Sequence, residues 1–528
     1  MTCSNEDEPL VQVRPANLRQ TKRGYIFRLS HSVCGVNAGL EISFLPDQRP
    51  LEAGFTPRFL TRLGKPLRLK MYSFLRFAAL PVETDFLREE FRAMPHAVLD
   101  SSEFVLEAPD AFRVNGRAYT SQAVFDLEQK RIFEKTWIYV AHESELQAPG
   151  DFKTAHLGSQ PVIVVRDAAG AINVLSNRCA HRGVAVCRER AGHTRAFVCP
   201  YHSWSYDLTG KLTGIPGRDD AGGYAEGFQQ PEGLFKLPSV ANYRGFVFAS
   251  ASPDVVPIDV FLAGGAAQLI DRKLQQSPVG RIRLQGEPFI GVYQGNWKFQ
   301  SENIVDGYHF MHTHRAFVSL QNKYGDTTGD FGVHKGGSTA DMRRNRLSGN
   351  VLGSPYGHGI NQKPAVGFDA LFEGPYADYY ARLTSRHGLE ETQWIVGAGA
   401  ACIFPNFGMI HNQLRVWRPL APGLTEVTVF PYVLEDVPDS FNQGLMRSHE
   451  RFYGPAGYGA ADDVEVFAMA QQGLRASLDD WLIMERGMHA ETRLDSGEIE
   501  GKPSSETVHR AFWRRWRDLM DHPDGGQP

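Results

Sequence analysis

Long apolar runs are missing from this chain. Across its 528 residues there is no stretch of about eighteen apolar residues, which argues against a membrane-spanning helix. An excess of basic charge is missing too. Lys and Arg number 56 against 60 Asp and Glu, a formal net charge of −4, so the footprint of a nucleic-acid binder is not there. Cysteine is sparse, six in all, and Cys3, Cys34, Cys187 and Cys402 lie scattered. That usage excludes a disulfide scaffold and suits a reducing cytoplasm. Residues Met1 to Glu8 lack the charged-then-apolar build of a signal peptide. No glycine-rich dinucleotide fingerprint is followed by a strand–helix unit, so a nicotinamide cofactor is expected on another protein. The length exceeds one ordinary core and implies two or more domains.

What is present starts with two short loops, Cys179-Ala180-His181 and Cys199-Pro200-Tyr201-His202, separated by seventeen residues. Each offers one thiolate and one imidazole. Two cysteines and two histidines in that order suit a [2Fe–2S] cluster of the Rieske kind, one iron taking both sulfurs and the other both ring nitrogens. Replacing two thiolates by neutral imidazoles raises the potential of such a cluster. A structural zinc site accepts the same ligand set, but zinc knuckles open with two cysteines two to four residues apart, not Cys-x-His. Gly183 suits a tight ligand turn, and Trp204 is placed to cover the cluster. Cys187 has no spare cysteine near Cys199 or His202 to pair with, so it reads as a small buried residue.

Residues 1–93 read differently from the rest. They carry fourteen Lys and Arg against ten Asp and Glu and show no sustained apolar period. A mobile extension or a misplaced start is expected there, in preference to a small extra domain. Residues 94–144 form an N-terminal helical part of the catalytic domain. Its helix runs from Ser121, the cap, to about Thr136, with Val124, Phe125, Leu127, Ile132 and Phe133 as the apolar side and charges elsewhere. Residues 145–255 form a small all-β domain: a hairpin, 161–167 with 171–175, leads into the first ligand loop, and 244–249 closes it as a strand. Residues 256–528 are mixed, with a strand over 425–431 and a final helix over 506–520. Val508, Phe512, Trp516 and Leu519 share one face of that helix, with arginines on the other.

A second constellation runs from Glu302 to His314 and contains Asp306, His309, His312 and His314. Two imidazoles and one carboxylate on a metal leave positions open for O2 and substrate, the arrangement of non-haem Fe(II) oxygenases. His309 and His312, one helical turn apart, would share a face of a regular helix. Far along the chain, Asp462 and Asp463 follow Gly454-Pro455-Ala456-Gly457. Both also suit the cap of a surface helix beginning at Val464.

These motifs together resemble the Rieske non-haem iron ring-hydroxylating oxygenases, in their large (alpha) subunit. The resemblance covers roughly residues 110–520, and residues Asn177 to Tyr206 match the family's first motif, with Ser203 where glycine is usual. It implies an α+β chain: an all-β Rieske domain plus a helix-grip-like catalytic domain with an antiparallel sheet and flanking helices. It implies Cys179, His181, Cys199 and His202 as cluster ligands. His309, His314 and Asp463 become ligands of a mononuclear Fe(II), with His312 a near neighbour and Asp462 a cap or supporting group. A spacing of five between the two histidines needs a distorted or ended helix. Asp306 becomes a catalytic residue that hydrogen-bonds an iron-ligating histidine and, across a subunit boundary, a cluster histidine of the next chain.

The resemblance further implies electrons from an NAD(P)H-dependent reductase, with or without a ferredoxin. It implies an oligomer built on a trimer, with or without a small beta subunit, and cis-dihydroxylation of an aromatic ring. Segments 136–143, 453–457 and 512–517 look most like members acting on benzoate, anthranilate or salicylate. Arg415 or Arg418 is then the candidate for holding a carboxylate, and Phe310, Met311 and Tyr458 are candidate pocket walls. The competing expectations are a monooxygenase of salicylate-type rings, an electron-transfer Rieske protein without oxygenase activity, and a zinc-stapled binding module.

Overall fold

The computed structural model describes residues 100–324, 348–365, 367–397, 399–476 and 478–522, with three strands upstream of them. Those strands, Arg19–Thr21, Gly24–Val33 and Val36–Phe44, form an antiparallel sheet in sequence order, with Val33 opposite Val36. The rest of the stretch expected to be an extension lies outside the described residues.

Residues 138–250 are β in character, with one short 3-10 turn at Glu143–Glu145. The hairpin Gln160–Arg166 with Ile172–Ser176 joins Asp151–Leu157 and Ala191–His193 in a four-stranded antiparallel sheet. Gly170, at φ 87°, turns the hairpin. Phe197–Val198, Ser205–Tyr206 and Leu212–Gly214 form a three-stranded sheet around the second ligand loop. Ile138–His142, upstream of the boundary expected at 145, pairs with Phe246–Ser250. No local signal marks a partner so far along the chain. Arg244 and Gly245 are not in that strand. They are the left-handed turn, φ 51° and 98°, between Ser239–Tyr243 and Phe246–Ser250.

The catalytic part is built on one antiparallel sheet. Its order is Ile282–Leu284, Leu424–Leu434, Gln413–Ala421, Phe407–Ile410, Gly399–Ile403, Gly359–Gln362, Asn350–Gly353, Ile499–Gly501 and Thr492–Arg493, with Phe289–Tyr293 also on Leu424–Leu434. Strand alternation makes two cores from it. Ala400 and Cys402 face Val508, Phe512 and Trp516 of the final helix, Thr507–Asp521. Ala401 and Ile403 face the opposite core, with Ile270 and Leu274 of helix Gly265–Gln275 and with Tyr379 and Tyr380.

Two helices bury charged side chains. The final helix does not turn its arginines to water. Arg510 is wholly buried, donating to Glu491 and to the Met484 carbonyl, while Arg514 and Arg517 pair with Glu107. The upstream helix Gln122–Glu128 is capped by Ser121 and widens into a π turn over Gln129–Phe133. Its Glu128 is also fully buried, accepting from Trp297 Nε1 at 2.8 Å, Trp516 Nε1 at 2.7 Å and Lys298 Nζ at 2.5 Å. Both helices lie between other elements, so charges on their second faces meet partners instead of solvent. Glu128 thereby ties the final helix to Lys298–Asn303, the helix that leads into the histidine cluster. Among the described residues no helix is long and apolar enough to cross a membrane.

Candidate metal centres

The two cysteine–histidine loops repeat one backbone geometry. The Cys179 amide donates to the Val184 carbonyl at 2.8 Å and the Gly183 amide to the Cys179 carbonyl at 2.9 Å. In the second loop the Cys199 amide donates to the Trp204 carbonyl at 2.8 Å and the Ser203 amide to the Cys199 carbonyl at 3.0 Å. Closure in this form needs a left-handed residue at the fifth position, and Gly183 and Ser203 occupy it at φ 71° and 57°. A side chain in that region costs about 1–2 kcal/mol, partly offset by glycine's greater freedom when unfolded. Ser203 is exposed. Ser203→Gly is therefore expected to stabilise the holo-protein by about 0.5–1 kcal/mol, read as a higher guanidinium midpoint for loss of cluster absorbance. A lower midpoint would mean that the serine side chain itself holds the loop.

Both cysteines are buried, in a core that includes Trp204, Tyr206 and Cys187. Burial pushes the Cys179 thiol up, but the Tyr206 hydroxyl, the His181 and Arg182 amides and Cys199 outweigh it, and the thiol lies below its ordinary range. The Tyr206 oxygen is 3.2 Å from Cys179 Sγ and accepts from the Ala180 amide at 3.1 Å. The histidines lie side by side, ring centres 4.6 Å apart, and the Trp204 indole stacks on His181 at 4.8 Å. His181 Nδ1 is buried and has no hydrogen-bond partner. Burial, with the charges of His202 and Arg182, holds His181 below the ordinary imidazole range, hence neutral, the form that ligates a metal. Two buried thiols on one side and two adjacent imidazoles on the other fit a [2Fe–2S] cluster of the Rieske kind. Asn177 braces the first loop by exchanging two hydrogen bonds with the Cys187 backbone, at 2.7 and 2.8 Å. Cys187 is a free buried thiol, pushed up to about 11 by burial.

The second cluster groups His309, His314 and Asp463, whose ligand atoms lie within 4.8 Å of one another. His309 precedes a single turn, Phe310–Thr313, and His314 has already left helical geometry at φ −93°, ψ 32°. That break swings His314 toward His309 and leaves His312 exposed. Asp463 Oδ1 stands 3.6 Å from His309 Nε2 and 3.2 Å from His314 Nε2. The opposite ring nitrogens meet other carboxylates: His309 Nδ1 meets Asp306 Oδ2 at 3.1 Å, and His314 Nδ1 meets Asp462 Oδ2 at 3.4 Å. A proton on each Nδ1, held by a carboxylate, leaves the Nε2 lone pair for a metal. These residues fit a mononuclear Fe(II).

Burial pushes Asp306 up, but the His309 hydrogen bond, the His509 and His309 charges and the Tyr308 amide outweigh it, to about 2. Asp462 does not cap a helix starting at Val464. The helix is Ala460–Gly473, which places Asp462 within its first turn.

Asn303 carried no assignment in the sequence reading. Its Nδ2 lies 3.2 Å from His309 Nε2 and 3.2 Å from Asp463 Oδ1, so it steadies the carboxylate within the group. Its only signal was its place three residues before Asp306, since an amide has no ligand spacing of its own. Of the expected pocket walls, Phe310 packs on His314 and Phe452, whereas Tyr458 is exposed. Arg418 is engaged by Glu426 at 2.9 and 3.0 Å, while Arg415 is buried.

Two family models match the chain: the Rieske [2Fe-2S] domain over residues 136–238, and the ring hydroxylating alpha subunit (catalytic domain) over residues 275–522. The chain is 34% identical to the 2-halobenzoate 1,2-dioxygenase large subunit of Burkholderia cepacia over 386 residues, 71% of this chain and 80% of that one. It is 32% identical to the toluate 1,2-dioxygenase subunit alpha of Pseudomonas putida, over 72% of this chain and 83% of that one. Its fold is similar to that of naphthalene 1,2-dioxygenase with indole bound, at a TM-score of 0.69 and 26% identity, covering 79% of this chain and 94% of that one. With two metal centres of these compositions in this order, the chain belongs to the Rieske non-haem iron aromatic ring-hydroxylating dioxygenases, as a large (alpha) subunit.

Proposed function

We propose that this oxygenase cis-dihydroxylates an aromatic carboxylate in the cytoplasm. Electrons come from NAD(P)H through a separate reductase, with or without a ferredoxin. The balance is one arene, one O2, two electrons and two protons to one cis-diol. The observation that carries the reading is the group His309, His314 and Asp463, in which each imidazole is braced by its own second carboxylate. The 2-halobenzoate and toluate relatives, named for aromatic acids, support the substrate class.

When bound, the mononuclear iron supplies O2 activation and the cluster supplies electrons. The chain's residues do the rest. Asp306 and Asp462 hold the Nδ1 protons of His309 and His314, and Asn303 orients Asp463. Trp204 shields one face of His181. Asp306 serves as the bridge to a cluster histidine of the neighbouring chain in a trimer-based oligomer.

Purified protein is expected to contain about three irons and two acid-labile sulfides per chain. With labelled O2 and a surrogate reductase, aromatic acids are expected to gain both oxygen atoms. One incorporated atom would make it a monooxygenase of the salicylate type. Two irons and no turnover would leave an electron carrier, and stoichiometric zinc without sulfide would end the reading.

A further inference from the structure

Three buried polar side chains beside the mononuclear centre have hydrogen-bonding atoms left unsatisfied. Arg415 is 6% exposed, yet among the described residues no carboxylate lies within ion-pair distance of it. It donates from one terminal nitrogen to Gln300 Oε1 at 3.0 Å, and its Nε has no partner. Gln413 is fully buried; its amide approaches the Tyr453 hydroxyl, but neither end completes a hydrogen bond of good geometry. His449 is 4% exposed, and its Nδ1 is unbonded. Gln413 and Arg415 are two apart on strand Gln413–Ala421 and so share a face. His449 and Tyr453 are one turn apart on helix Asp439–Tyr453. The Tyr453 ring joins the two, 5.7 Å from the Arg415 guanidinium and 5.8 Å from the His449 ring.

The group adjoins the candidate iron ligands along two routes. Gln300, which holds Arg415, is one turn before Asn303 on helix Lys298–Asn303. Phe452, next to Tyr453, packs on His314 with ring centres 5.2 Å apart.

An uncompensated buried cation is strongly destabilising, and unbonded buried amides add to the cost. Such a group persists where something else completes it. We infer that Arg415, Gln413 and His449 receive the carboxylate of the substrate, and that the substrate carries one such charge. This rests on the aromatic-acid reading above. The guanidinium offers Nε and a neighbouring N–H to a carboxylate in the forked geometry that arginine provides. Gln413 adds an amide donor. Burial and the Arg415 charge push His449 down to about 4, so the ring stays neutral and adds no second cation. One positive charge balances a benzoate-like monoanion and leaves a dicarboxylate half unpaired. Arg418, three residues further along the strand, is already occupied by Glu426.

The test uses holo-oxygenase with its reductase and compares kcat/KM for benzoate with that for benzamide, its neutral isostere. Arg415→Gln is expected to lower the benzoate-to-benzamide ratio at least about 100-fold. Arg415→Lys should keep part of the preference, and Arg418→Gln should keep all of it. The substrate-free Tm of Arg415→Gln should rise, because an unpaired buried charge is removed, and benzoate should raise the Tm of wild type but not of this variant. An arginine with a merely structural role would lower the Tm and depress both substrates alike, which overturns the assignment, as does an unchanged ratio. Should Arg415→Gln fail to fold, Gln413→Leu carries the test: the ratio falls about tenfold or the inference is wrong. Wild type that oxidises neutral rings and not benzoate overturns the substrate class and this inference together. Wild type that oxidises benzoate, with the ratio preserved in Arg415→Gln, overturns the receptor alone.

Discussion

Asp306→Asn is expected to keep both metal centres and lose nearly all turnover. The Asp306 carboxylate makes two bonds with different oxygens: Oδ1 accepts from the Tyr308 amide at 2.5 Å, and Oδ2 meets His309 Nδ1 at 3.1 Å. An asparagine has one acceptor oxygen, so either the Tyr308 turn or the His309 proton loses its partner. The fold should survive, since the side chains are nearly the same size. What goes is the negative charge, present across the working pH range because Asp306 is held at about 2. Loss of such a supporting partner at a metal site typically costs about 10–100-fold in activity. A bridge for the electron adds to that, so a fall beyond about 100-fold is expected. Iron and sulfide contents should match wild type. The discriminating measurement is one turnover with a pre-reduced cluster, in which both product yield and cluster reoxidation should collapse. Wild-type reoxidation in this variant would remove Asp306 from the electron path.

Asp463→Ala should have the opposite signature, losing one metal and keeping the other. Asp463 is the sole carboxylate of the group, and both imidazole Nε2 atoms converge on its Oδ1. Removing it leaves two imidazoles and no anionic ligand. Asp462 cannot take its place, because it meets His314 on the far side of the ring, at Nδ1. Iron is expected to fall from about three to about two atoms per chain, with acid-labile sulfide and the cluster absorbance retained and product formation abolished. The cluster loops lie in a separate core, so the loss should not spread to them. An unchanged iron content with residual turnover would show that another residue completes the site. Asp462→Ala is the companion variant, expected to keep three irons and lose only part of the rate.

Much of the chemistry was legible because it is local. Cys-x-His and Cys-x-x-His loops place ligand atoms within a few residues of one another, and the hairpin ahead of the first loop follows from two short β-type apolar runs and a glycine turn. The choice between His312 and His314 was not legible from helical periodicity. It depends on where one turn ends, and that end lies against Asp462, 148 residues further on. Asn303 was missed for a related reason: its meaning lies in what Asp463 brings to it. The burial of Glu128 and Arg510 was not legible either, because amphipathic patterning says which residues share a face and not what that face packs against.

Residue type and short-range spacing pointed to an iron–sulfur domain, because metal preference is a property of a few adjacent residues, and the oxygenase domain after it came from the resemblance to a known family. Tertiary structure decided which oxygen and which ring nitrogen meet, that Ser203 takes a left-handed backbone, and that Arg415 rather than Arg418 is left without an acid. The meeting of His314 with Asp462 and of Arg415 with Gln300 joins segments more than a hundred residues apart, and only packing sets it.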